Sequence, residues 1–125
     1  MSKTGSVEIQ MREILDEYQE RVKDVTNKSI DKTAKESTSK LKNTSPKRTG
    51  KYARGWKTTK KRGSGGIETV TVHNKHYQLT HLLENGHIVR NKKGTYGRTN
   101  GIKHIAPVEE WAQSELPAEI ERELK

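Results

Sequence analysis

The chain has no cysteine, no phenylalanine and only three prolines, and its apolar residues are sparse. Without cysteine there is no disulfide framework, no thiolate metal site and no cysteine nucleophile, which accords with a reducing cytosol. Hydrophobic residues fill 28% of the 125 positions and charged residues 33%. That is thin burial to set against the ordering entropy of so short a chain. The shortage predicts that part of the chain is unordered alone, or that sister subunits complete its burial. No apolar run approaches the ~20 residues that span a bilayer. Ser2-Lys3-Thr4-Gly5-Ser6 leads into an amphipathic rather than an apolar stretch. The expectation is therefore a soluble protein made without a signal peptide and with no membrane contact.

What the chain has in quantity is positive charge: formally +9, with a pI near 9.8. Between Lys40 and Arg62 lie ten cations and no acid. A second acid-free stretch runs from Ile88 to His104, with Arg90, Lys92, Lys93, Arg98 and Lys103. Acids gather at the two ends, in Glu8 to Glu20 and in Glu109 to Glu123. The pattern is a basic middle between two more acidic helices.

Val7, Met11, Ile14, Leu15, Tyr18, Val22 and Val25 recur at spacings of three and four and predict an amphipathic helix. Ser6 is its expected N-cap. Ile30, Ala34 and Leu41 continue the stripe, and Ser45-Pro46 ends it. Its apolar face serves either core packing or subunit contact. Lys51 to Lys57 reads as a strand, Lys60 to Gly66 as a flexible basic loop, and Ile67 to Asn74 as a strand rich in β-branched residues. Within that second strand the period places Val70 and Val72 on one face. Tyr77, Leu79, Leu82 and Leu83 predict a short helix stopped at Asn85-Gly86. Ile88-Val89-Arg90 opens a further strand, and Asn91 to Gly101 reads as a polar loop. Pro107 is expected to start a C-terminal helix, with Val108, Trp111, Ala112, Leu116, Ile120 and Leu124 on one face and a kink or break at Pro117. The fold class is α+β in one domain over residues 1–125: N-terminal helix over about 5–45, small antiparallel β-sheet with a short helix and basic loops over 46–106, and C-terminal amphipathic helix over 107–125.

Chemistry finds little support. His73, His76, His81 and His87 lack the spacing of a convergent metal site, and His81 with Glu84 supplies two ligands at most. No serine sits in a nucleophile elbow, and Gly63-Ser64-Gly65-Gly66 lacks the Lys-Ser/Thr of a phosphate loop. No catalytic residue, cofactor or metal is expected. The cations Lys57, Lys60, Lys61, Arg62, Arg90, Lys92, Lys93 and Arg98, interleaved with Tyr52 and Trp56, are candidates for contact with DNA or an acidic partner. A basic, non-enzymatic nucleic-acid-binding module is accordingly the alternative reading.

Three constellations carry a resemblance. They are Thr49-Gly50-Lys51-Tyr52-Ala53-Arg54-Gly55-Trp56, then Tyr77-Gln78-Leu79-Thr80-His81-Leu82-Leu83-Glu84-Asn85-Gly86-His87, then His104-Ile105-Ala106-Pro107. Their order, behind an N-terminal helix, resembles the head–tail joining or tail-completion proteins of tailed bacteriophages, variously called minor capsid or minor tail components. Gly55 stands where serine is common in that family, and His104-Ile105-Ala106 replaces a more apolar run. The resemblance implies an α+β subunit without cofactor, made in the host cytoplasm of a phage or prophage. It would act in the virion neck as an oligomeric ring or adaptor, between the head connector or portal side and the tail-tube or tail-terminator proteins; a homo-oligomeric ring of six is the expectation that matches the tail. Thr49, Gly50, Tyr52, Trp56, Tyr77, Leu83, Glu84, Gly86, His87, Pro107 and Trp111 are the interface or structural candidates. Trp56 is assigned to the core, Trp111 to core or interface, and Glu84 to a local cap or a loop cation.

Overall fold

A computed structural model describes residues 3–47, 50–91 and 94–125, leaving aside the side chains of residues 3–9, 87–91, 95, 96 and 99. Its dominant feature is α1, Lys3–Thr44, a single helix of 42 residues and about 60 Å in length at 1.5 Å per residue. Ser6 lies inside α1 rather than capping it. The far end stops where expected: the Ser45 amide and hydroxyl both donate to the Leu41 carbonyl, and Pro46 follows.

α1 has two halves with different environments. From Gln10 to Glu20 every residue is exposed. Beyond it, Ser29, Thr33, Ala34, Ser37 and Leu41 are buried at helical spacing. α4, Ile105–Leu124, packs along this half of α1. The same half of α1 also meets the hairpin of β1, Trp56–Arg62, and β2, Glu68–Asn74. The two strands pair antiparallel from Trp56 opposite Asn74 to Arg62 opposite Glu68. Val70 and Val72 are half-buried while Thr69 and Thr71 are exposed, so the predicted alternation holds.

Asn27 of α1 ties the hairpin tip down: its amide donates to the Gly66 carbonyl at 2.9 Å, and its carbonyl accepts from the Glu68 amide at 2.9 Å. The tip itself is a tight turn over Gly63–Ile67 closed by Gly63 N–H donating to the Ile67 carbonyl. The expected loop from Lys60 is thus corrected: Lys60, Lys61 and Arg62 belong to β1, because pairing with Val70, Thr69 and Glu68 extends the hairpin to the glycines.

Lys51 to Arg54 is likewise a helical turn, α2, and not a strand. Gly50, at φ 79°, turns the chain into it. Tyr52 and Ala53 are both buried, which the two-residue alternation of a strand cannot achieve for adjacent side chains. The four-residue spacing of Tyr52 and Trp56 satisfies either period, which is why the sequence misleads here.

α3, Tyr77–Asn85, ends at Gly86 with φ 79°, as its Asn-Gly stop predicts. The chain then forms a second hairpin, β3 over Gly86–Asn91 and β4 over Gly94–Asn100. β4 corrects the expected polar loop: its order comes from the ladder to β3, since its own residues have little apolar content. Among the described residues, two two-stranded antiparallel sheets therefore stand where one small sheet was expected, within the same α+β class.

Two proline expectations also change. α4 begins at Ile105, two residues before Pro107, and it runs unbroken through Pro117 to Leu124. Arg122 bonds Glu115 before that proline, at 2.6 Å, and Glu119 after it, bracing the helix across the missing N–H. Lys32 of α1 reaches the same Glu119 at 2.9 Å. Those two cations, Lys32 first, hold the Glu119 carboxyl below its usual range.

Candidate functional site

The three sequence constellations, widely spaced in the chain, meet at one place. Leu41, Tyr52, Trp56 and Val108 form the buried cluster, with Val72, Leu83 and Ile105 against it. Threaded through it is a chain of polar contacts. The Trp56 indole N–H donates to Ser45 Oγ at 2.7 Å, and Ser45 in turn donates to the Leu41 carbonyl. The Tyr52 ring stands edge-on to both Trp56 and His104, and its hydroxyl lies 2.8 Å from His104 Nε2. Burial pushes the Tyr52 phenol upward, with an interaction from Thr80 opposing it.

His104 is 0% exposed. Its Nδ1 is 2.8 Å from the Ile102 carbonyl and 2.9 Å from Glu84 Oε1. Two acceptors at that nitrogen require it to carry a proton. In the neutral ring Nε2 is then the acceptor, and the Tyr52 hydroxyl donates to it.

Glu84, buried at the end of α3, closes the arrangement. Its Oε1 accepts the backbone N–H of His104 at 2.8 Å and of Ile105 at 2.9 Å, and its Oε2 accepts that of Ala106 at 3.1 Å. A helix start leaves four N–H groups without intrahelical partners. Here the fourth residue is Pro107, which has no N–H, so one carboxylate satisfies every free donor of α4. Negative charge is also favoured at this end of the helix dipole. Burial works against the charged carboxyl, but the three N–H donors outweigh it, and Glu84 titrates below the ordinary glutamate range. Its role as cap of a distant helix replaces the expected local cap or loop ion pair. Gly101 lets the chain pass: a Cβ there would collide with the backbone of Glu84 and Asn85.

The remaining candidates range from the edge of this cluster, where Leu83 packs, to the open surface. Tyr77 is exposed, Leu83 and Gly86 are partly covered, and Trp111 is half-buried with Lys40 Nζ 4.5 Å from its ring centroid. Lys57, Lys60, Lys61 and Arg62 are all exposed along β1. Lys60 is held by Asp31 at 3.0 Å and faces Glu68 at 3.7 Å. Arg98 donates to the Asn85 carbonyl at 3.3 Å. Thr49, Lys92 and Lys93 lie outside the described residues, and of His87 and Arg90 only the backbone is described.

Sequence reasoning gave Asn27 no role and placed Ser45 and Asn74 only as the ends of a helix and a strand. Asn74, at the end of β2, donates to the Tyr52 carbonyl at 2.8 Å and accepts the His76 amide at 2.7 Å. A polar residue closing a β-branched strand was the available signal. Among the described residues no group of three or more His, Cys, Asp or Glu could hold a metal ion, and no helix is long and apolar enough to cross a membrane.

This buried junction builds a scaffold: it joins α1, α2, the β1–β2 hairpin, α3 and α4. Residues 9–86 match the model of the family described as "Bacteriophage HK97-gp10, putative tail-component". The chain belongs to this HK97-gp10-like family. The match takes in most of α1 and continues to the end of α3, while α4 and the His104-Ile105-Ala106-Pro107 segment lie beyond it. No curated protein and no solved structure matches the chain. The HK97-gp10-like chain is thus a structural component of a bacteriophage tail and belongs in the virion.

Proposed function

We propose that this HK97-gp10-like protein acts in head–tail joining and tail completion, as a single-domain subunit of a homo-oligomeric ring in the virion neck. The observation that carries the reading is the projecting half of α1. Met11, Ile14, Leu15 and Tyr18, which make one stripe, are 58%, 64%, 58% and 60% exposed. Isolated helical segments of this length are marginal in water, and an apolar stripe on one calls for a partner. The neck offers such partners, namely sister subunits, the connector on the head side and the tube or terminator on the tail side. A sixfold ring would match the tail. Deleting the gene should leave filled heads and separate tails, seen by electron microscopy. Normal virions from the deletion would sink the proposal.

Non-specific contact with DNA passing through the neck is a second property supported by β1. Lys57 and Lys61 share its outward face with Thr59, away from the Lys60–Asp31 ion pair. Such contact should weaken steeply with salt and show no sequence preference. Absence of DNA binding at low salt would remove it.

A further inference from the structure

The subunit exposes a second apolar surface far from the first. Leu79 and Leu82, three residues apart on one face of α3, and Ile102 after β4 are 44%, 40% and 53% exposed. The Ile102 amide donates to the Leu83 carbonyl at 2.8 Å, so this residue lies against the end of α3. Beside the patch is a groove of about 370 Å³ bordered by Pro46, Tyr52, His76, Leu79 and Leu83. It has room for a side chain the size of tyrosine.

The arm of α1 cannot cover this patch within its own subunit. α1 is continuous, and Leu15 lies 26 residues before Leu41, which packs in the core beside Leu83. That separation is roughly 40 Å along a straight helix. Two apolar surfaces so placed on one chain can both be covered by a head-to-tail arrangement of identical subunits, which closes into a ring when the rotation permits.

Charge agrees with this pairing. From Gln10 to Glu20 the arm carries Glu13, Asp16, Glu17 and Glu20 against Arg12 alone. From Lys75 to Lys103 the chain carries six cations and one acid, and that acid, Glu84, is buried. Lys75, Arg98 and Lys103 are exposed in this region. Arms paired with arms would instead set acid against acid along both flanks.

We propose that the α1 arm of one subunit docks on the α3–Ile102 surface of the next, with Leu15 and Tyr18 meeting Leu79 and Leu82. The pairing deepens the neck-ring reading and rests on it. The occupant is a second copy of this chain.

The absence of cysteine permits a clean test. Full-length Tyr18→Cys and Leu79→Cys chains, differently tagged, are mixed and treated with a short bismaleimide, both as purified protein over a range of concentrations and in virions. Cross-links between the two tags should exceed those within either. Leu15→Glu and Leu82→Glu should each weaken self-association by roughly tenfold or more. Mixed together they should form dimers, because each retains the surface the other has lost. Circular dichroism confirms that both remain helical. Links confined to Tyr18→Cys pairs, no link at any concentration, or a Leu82→Glu chain that associates like the unaltered protein would overturn the pairing. Joined virions that contain the protein without the 18-to-79 link overturn this pairing alone, whereas normal virions lacking the protein overturn the neck reading as well.

Discussion

Glu84 holds His104 twice: Oε1 accepts the His104 backbone N–H at 2.8 Å and lies 2.9 Å from the ring Nδ1. Through this pair, the last turn of α3 sets where α4 begins and how the imidazole faces Tyr52. The buried cluster of this chain is small, and polar contacts run through it. A buried polar group with its partners in place specifies one geometry, and it is costly when a partner is removed.

Glu84→Ala strands three backbone donors at the start of α4. We expect a loss of about 3 kcal/mol in urea unfolding, at the upper end for buried donors deprived of a charged partner. A change below about 0.5 kcal/mol would show that α4 does not need this cap.

The same carboxyl imposes a pH dependence. Its folded titration lies below the ordinary glutamate range, so the folded state binds this proton less readily than the unfolded state. Its stabilisation is complete above the unfolded value of about 4.3, and it is lost as pH falls through the lower folded value. Urea midpoints of the native chain should therefore drop more steeply than those of Glu84→Gln on acidification from about pH 5 to 3. Parallel profiles would contradict this.

Tyr52→Phe keeps the ring packing against Trp56 and removes only the hydroxyl bonded to His104. The buried imidazole nitrogen is left without its partner, at an expected cost of about 1–3 kcal/mol. Nitrogen chemical shifts of His104 should move in the same variant. Unchanged shifts would mean that the hydroxyl is not the partner.

Trp56→Ala empties the centre of the buried cluster and should cost about 3–5 kcal/mol. Ser45→Ala, which orphans the indole N–H and removes the hydroxyl's bond to the Leu41 carbonyl, should cost about 1–3 kcal/mol. Calorimetry of the two variants separates packing from hydrogen bonding at this site. Equal losses would show that the residues act as one unit.

Asn27→Ala releases the β1–β2 tip from α1. The expected result is faster hydrogen exchange at the Glu68 amide, with little change at the core around Trp56. Unaltered exchange at Glu68 would show that the hairpin holds its tip without α1.

How far the molecule could be read from its residues varies by region, and the reason is the range of the forces involved. The stripe from Met11 to Leu41, the alternation around Val70 and Val72, and the Asn85-Gly86 stop follow from local periodicity and backbone preference, which the sequence by itself determines. So does the order of constellations that the resemblance to phage joining proteins rests on. Tertiary structure alone decided that Lys51–Arg54 is helical, because the burial of both Tyr52 and Ala53 depends on what surrounds them. It decided also that Gly94–Asn100 is a strand, because a polar segment takes its order from a ladder to β3. The role of Glu84 was hidden for the same reason: its three donors lie 20 to 22 residues along the chain, and no local pattern reports a contact made only when separate elements are packed together.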